Sequence, residues 1–141
     1  MTRALVGISL ESMDPLEGRV TIPQFRILLA LEGSGPVPSS VLAERLGAQA
    51  SSITRLVDRL QAENLVTRGA DERSRSIVTV EITASGRTLV TRVLDARHQL
   101  IAATLAELSP EDRTALIRGA DAFTAASGHA LSLGPTGPLP L

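Results

Sequence analysis

Between Ser39 and Glu63 two amphipathic segments meet at a glycine, and that junction constrains the fold more than any other feature of the chain. Val41, Leu42, Arg45 and Leu46 mark a short helix over about Ser39 to Leu46. Gly47 follows it, placed to take the left-handed conformation that ends a helix. A second helix is predicted from about Gln49 to Glu63, ended by Asn64. Its inward positions, Ile53, Leu56, Val57 and Leu60, keep the i, i+3, i+4, i+7 spacing of one helical face. Ala43 in the first helix is small, as close helix approach demands. Leu65-Val66 then lead into extended chain, and Ile77 to Thr83 is an alternating run rich in β-branched residues, which reads as a strand. Between them lies a polar hairpin tip, Arg68 to Ser76. A helix pair with a tight turn, followed by a hairpin with a charged tip, makes a winged helix-turn-helix.

In that arrangement the anchored second helix leaves Gln49, Ser51, Ser52, Thr54, Arg55, Asp58 and Arg59 on its outer face. Short polar side chains and an Arg near a helix N-terminus suit entry into a DNA major groove. Hydroxyls bond phosphates or base edges, and a guanidinium forks onto guanine. The expected DNA contacts are therefore Gln49, Ser51, Ser52, Thr54, Arg55 and Arg59, joined by Ser39 and Ser40 at the start of the first helix. Arg73 and Arg75 at the hairpin tip are expected near the minor groove, whose negative potential attracts Arg. All strong cations of the chain are Arg, and the formal net charge is -1. This is not the basic balance of a non-specific nucleic-acid coat. Residues 38–83 hold six Arg and six Asp/Glu. The balance motivates a competing reading, a winged-helix module that binds protein and not DNA.

The flanks are helical. Residues 1–13 carry a short apolar stripe with Leu5 and Ile8, ended by Pro15 and Gly18. Thr21, Pro23 and Gln24 read as a helix start, with Gln24 placed for a capping box. That helix runs to about Leu31 and buries Phe25, Leu28 and Leu29, with Ile22 a further candidate. Glu32 to Pro36 is a loop. A long helix is predicted from about Ala84 to Leu108, and another from Ser109, its cap, fading near Gly128. The 129–141 tail is rich in Gly and Pro and is expected to be disordered. With 1% aromatic and 43% apolar residues the core must be aliphatic. The absence of cysteine excludes disulfides and thiolate metal sites. No apolar run reaches the length of a membrane span, no secretory cleavage pattern follows the first residues, and the cytoplasm is the expected compartment. Asp95 and His98 are spaced i, i+3, but a solvated role is the expected one, and no metal or other cofactor is expected. No residues group into a catalytic constellation, so an enzyme is not expected.

Five pieces of the chain, in order and spacing, resemble the MarR family of bacterial transcriptional regulators. They are Gln24-Phe25-Arg26-Ile27-Leu28, Leu42-Ala43-Glu44-Arg45-Leu46-Gly47, the run Ser52 to Leu60, Leu65-Val66-Thr67-Arg68, and Ile82-Thr83 with Gly86. The resemblance implies a mainly α fold with a small β-wing, in which a winged lobe sits on a dimer stem of terminal helices. It implies a short dimerisation helix and linker over 1–20, a DNA-binding lobe over 21–83 and dimerisation helices over 84–128. The dimer interface would include Leu5, Ile8, Leu94, Ile101, Leu105, Leu116 and Phe123. The partners implied are a second copy of the chain, palindromic duplex DNA and a small-molecule effector. Arg26 and Phe25 lie on the helix that would line an effector pocket. Phe25 is expected in the core and Arg26 solvated or ion-paired, so no effector ligand is assigned. Two departures stand out. The family's wing carries an Asp-Arg-Arg run, whereas here Ser74 and Ser76 flank Arg75, leaving Asp71 or Glu72 to replace the usual wing brace. The N-terminal helix is shorter than the family's by about two turns, so either the coding sequence starts upstream or the dimer interface is reduced.

Overall fold

Thr21 and Gln24 open the helix around which the lobe is built. The Gln24 Oε1 accepts from both the Thr21 backbone N–H and the Thr21 hydroxyl, each at 2.8 Å. This satisfies a donor that a helix start otherwise leaves free. The computed structural model describes residues 2–71 and 74–127. In it α1 spans Thr2–Glu11, a 3-10 turn spans Asp14–Leu16, and α2 spans Ile22–Leu31. They are followed by β1 (Val37–Pro38), α3 (Ser39–Arg45), α4 (Ala50–Ala62), β2 (Val66–Ala70), β3 (Val78–Ile82), α5 (Ala84–Ala106) and α6 (Pro110–Ser127). The expected Gly/Pro tail and Arg73 lie outside the described residues.

Both helices of the central pair end in the same way. Gly47 has φ of 60°, with Ala48 N–H donating to the Ala43 carbonyl and Gly47 N–H to that of Glu44. Asn64 has φ of 58°, with Leu65 N–H donating to Leu60 and Asn64 N–H to Gln61. The paired six-to-one and five-to-two bonds are a Schellman ending. Asn tolerates the left-handed region better than most side chains, which explains why a non-glycine residue serves at position 64.

The sheet has three antiparallel strands in the order β1-β3-β2, with Val37 opposite Val80 and Val66 opposite Ile82. The sequence reading leaves β1 out. Two residues, one of them proline, carry no period, and Val37–Pro38 is a strand only because β3 lies beside it. The hairpin tip is also shorter than expected: Arg68, Gly69 and Ala70 are strand residues.

One aliphatic core joins the elements. Phe25, Ile27, Leu28 and Leu31 of α2 meet Leu42 of α3 and Ile53, Val57 and Leu60 of α4, with Val66, Val80 and Ile82 below and Leu89, Val90 and Val93 of α5 behind. Full burial of such side chains contributes about 1.5–3 kcal/mol each. Ile22 is exposed and Ile27 buried. Helix α2 is covered on most sides, so its buried set is wider than a single amphipathic stripe predicts.

Past Val93 the surroundings change. The second half of α5 is half-buried or exposed, and α6 is exposed from Pro110 to Ala126. Ser109 caps α6: Asp112 N–H donates to the Ser109 hydroxyl at 3.1 Å, and that hydroxyl donates to the Asp112 carboxylate at 2.7 Å. Near the end of α1 the fully buried Ser12 donates to the Ser9 carbonyl and accepts from Arg97 Nε of α5 at 3.2 Å.

Candidate nucleic-acid interface

Helix α4 is held from behind by Ile53, Val57 and Leu60, all buried, with Leu56 half-buried at the edge. The helical repeat then sends Ser51, Thr54, Arg55 and Asp58 to the opposite side, where all four are exposed, as are Gln49 and Arg59. Ser52 is half-buried. In α3, Ser40 is exposed and Ser39 half-buried. Gln49 sits at the N-cap position without a side-chain capping bond; the Ser52 and Ile53 N–H groups donate to its carbonyl, which leaves those of Ala50 and Ser51 open to an anion.

The hydroxyls and cations of this face differ in availability. The Thr54 hydroxyl donates to the Ala50 carbonyl at 3.0 Å, so its proton is already committed within the helix. The side chains of Arg55 and Arg59 have no hydrogen bond or ion pair among the described residues, and neither has that of Arg75. Asp58, the acidic member of the face, is paired with Arg68 of β2. Arg68 also donates through Nη2 to the Thr54 carbonyl at 3.2 Å. The free charge on the outward face is therefore positive, although the lobe as a whole is balanced. Sequence reading names Asp58 and Arg68 singly and misses their pairing. Ten positions and a chain reversal separate them, and only the hairpin register brings them together.

At the wing tip the Ser74 and Ser76 hydroxyls lie 2.8 Å apart, in hydrogen-bond contact. Asp71 N–H donates to the Ile77 carbonyl at 3.0 Å, closing the hairpin. The positions flanking Arg75 thus pair as neutral hydroxyls.

The joint between the wing and α5 rests on a side-chain bridge at Thr83 that the sequence reading does not foresee. The Thr83 hydroxyl accepts from Gly86 N–H at 3.0 Å and donates to the Asn64 carbonyl at 2.8 Å. Thr83 N–H donates to the Leu65 carbonyl at 3.0 Å. One threonine therefore caps α5 and ties it to the end of α4.

Elsewhere Phe25 is buried, as expected. Arg26 departs from expectation. It is half-buried, and its Nε is buried with no hydrogen-bond partner among the described residues. Helix α2 is covered on most sides, so this polar position is partly enclosed as well. Asp95 and His98 are exposed, and no group of three metal-ligating side chains forms among the described residues. Among the same residues no helix is long and apolar enough to cross a membrane.

Comparison with known proteins agrees with this architecture. The family model described as MarR family matches residues 20–75. The HTH-type transcriptional regulator YfiV of Bacillus subtilis (strain 168) is 31% identical over 100 residues, 71% of this chain and 62% of the relative. The HTH-type transcriptional repressor MdtR of the same organism is 31% identical over 103 residues, 73% of this chain and 65% of the relative. The chain thus spans just under two thirds of the length of these curated relatives. The crystal structure of RV1404 from Mycobacterium tuberculosis superposes with a TM-score of 0.83 at 38% identity, covering 90% of this chain and 87% of that one. With a winged helix-turn-helix lobe, a recognition-type helix pinned from behind and this likeness over nearly its whole described length, the chain belongs to the MarR family of transcriptional regulators and is not an enzyme.

Proposed function

We propose that the protein is a cytoplasmic homodimer that binds a palindromic DNA operator and represses transcription. In this reading α4 enters the major groove and the wing tip, Arg73 and Arg75, follows the minor groove. The observation that carries it is the pair of exposed guanidiniums, Arg55 and Arg59, on an otherwise anchored helix, with the intervening Asp58 neutralised by Arg68. Ser39, Ser40, Gln49, Ser51, Ser52 and Thr54 supply further groups to phosphates or base edges, Thr54 as an acceptor. The protein-binding alternative drew on the balanced charge of the lobe, and the Asp58–Arg68 pair weakens that argument locally.

Two copies follow from α6. Leu116, Ile117 and Phe123 are 40%, 52% and 62% exposed on one helix, and Leu5, Val6 and Leu10 of α1 are similarly open. Large apolar side chains left exposed on terminal helices mark an interaction site, and a second copy supplies the matching surface by symmetry. Half-buried Ile8, Leu94, Ile101 and Leu105 complete the proposed stem. Arg26, with its unsatisfied Nε, is the charge that an anionic effector would find beside the lobe, and binding there would bias the spacing of the two lobes.

Selection of duplexes from a random pool by the purified full chain tests the reading. It should return an inverted repeat with half-sites about 10–10.5 base pairs apart or a multiple of that. Recovery of no duplex above background, at low salt as well as physiological salt, would refute DNA binding.

A further inference from the structure

We propose that Arg68 is a positioning residue that clamps the wing to the recognition helix and masks the one carboxylate on that helix's outward stripe. The inference rests on the DNA-binding reading above and deepens it. Arg68 belongs to β2, opposite Val80 of the central strand. From there Nη1 pairs with the Asp58 carboxylate, and Nη2 donates to the Thr54 carbonyl one helical turn away. A single planar guanidinium thus bridges two successive turns of α4 from the first strand of the wing. Its side chain is 29% exposed and that of Asp58 54%, so the link lies at the rim of the proposed contact surface.

Two consequences follow from the geometry. The first is mechanical. A hairpin of five-residue strands is weakly held by itself. The fork of Arg68 fixes the angle between hairpin and helix, and with it the separation of Arg55 and Arg59 from Arg75. The second is electrostatic. Asp58 continues the stripe of Ser51, Thr54 and Arg55, so a bare carboxylate there would face DNA phosphates. Paired with Arg68 it presents no net charge, and the stripe keeps the positive sign of Arg55 and Arg59. Lysine would keep the charge at position 68, but a point ammonium cannot span both acceptors in a fixed plane.

The test uses the full chain, first without DNA. Hydrogen–deuterium exchange of the amides in 66–70 and 78–82 should quicken about tenfold in Arg68→Met and in Asp58→Asn, with Arg68→Lys between wild type and Arg68→Met. The double variant should exchange no faster than either single one, because both remove the same link. Affinity is then measured for the selected duplex and for a scrambled one across a range of salt. The ratio of specific to non-specific binding should fall about tenfold in each single variant and no further in the double. The salt slope of the double variant should match wild type, because it removes the two opposite charges together. Unchanged exchange in Arg68→Met overturns the clamp. Losses that multiply in the double variant, or a double-variant salt slope lower than wild type by about one, make Arg68 a direct phosphate contact and overturn the proposal. If wild type retains no duplex, the DNA reading fails, and the exchange result still decides whether the clamp exists.

Discussion

At Gly86 a β-carbon would lie 2.3 Å from the Leu65 carbonyl oxygen and 2.7 Å from Ile82 Cγ1. The first of these atoms is backbone and cannot step aside without moving the end of α4. Gly86→Ala should therefore destabilise the protein by about 2–3 kcal/mol, despite the better helix propensity of alanine. Urea denaturation at fixed protein concentration measures this, and an unchanged midpoint contradicts the close approach. Arg55 is the opposite case. It is exposed and has no partner among the described residues, so its removal leaves the fold alone. Arg55→Ala should weaken binding to the selected operator by about 1–3 kcal/mol and relax preference at one base pair. Fluorescence anisotropy against the cognate duplex and single-base variants reads both effects.

Among the elements, the end of the wing and the start of α5 form one unit through Thr83. Its hydroxyl serves α5 as N-cap and α4 as a tether. Thr83→Ala should cost about 1–2 kcal/mol, whereas Thr83→Ser should retain most of the stability, since it keeps the oxygen. Thermal unfolding of the two variants side by side checks the difference. The turn between α3 and α4 is subject to a different constraint. Gly47 has open space for a side chain but φ of 60°, so Gly47→Ala should cost about 1 kcal/mol from backbone conformation alone. That loss should appear as a lowered urea midpoint, and Gly47→Asn should recover part of it.

For the whole molecule, the telling contrast is between a lobe with a closed aliphatic core and a final helix with every described side chain from Pro110 to Ala126 exposed. In proteins most helical stability comes from packing of an apolar face, so in the proposed dimer that of α6 would come from the second copy. A charge in that surface should separate the copies. Ile117→Asp with Phe123→Asp is expected to shift the mass by light scattering from two chains to one. Operator affinity should fall at least tenfold with it, because one lobe then engages one half-site. A variant that stays dimeric would move the interface away from α6.

How much could be read without coordinates varies with the kind of information each feature needs. The two helices around Gly47, the β3 run and the capped starts at Thr21 and Ser109 were legible, because each is written in local periodicity, a capping residue or a left-handed position. The outward set on α4 followed from the same periodicity, since anchoring Ile53, Val57 and Leu60 leaves only one face for Ser51, Thr54 and Arg55. What depends on pairing between distant segments was not legible. Strand β1 exists through β3, and the Asp58–Arg68 link through the hairpin register. The oxygen at Leu65 that excludes a side chain from position 86 comes from the packing of α5 against the end of α4. Local sequence therefore determined the elements and which side of each is apolar. Tertiary structure decided which charges remain free, because a guanidinium or carboxylate is available only if no neighbour from elsewhere in the fold has reached it.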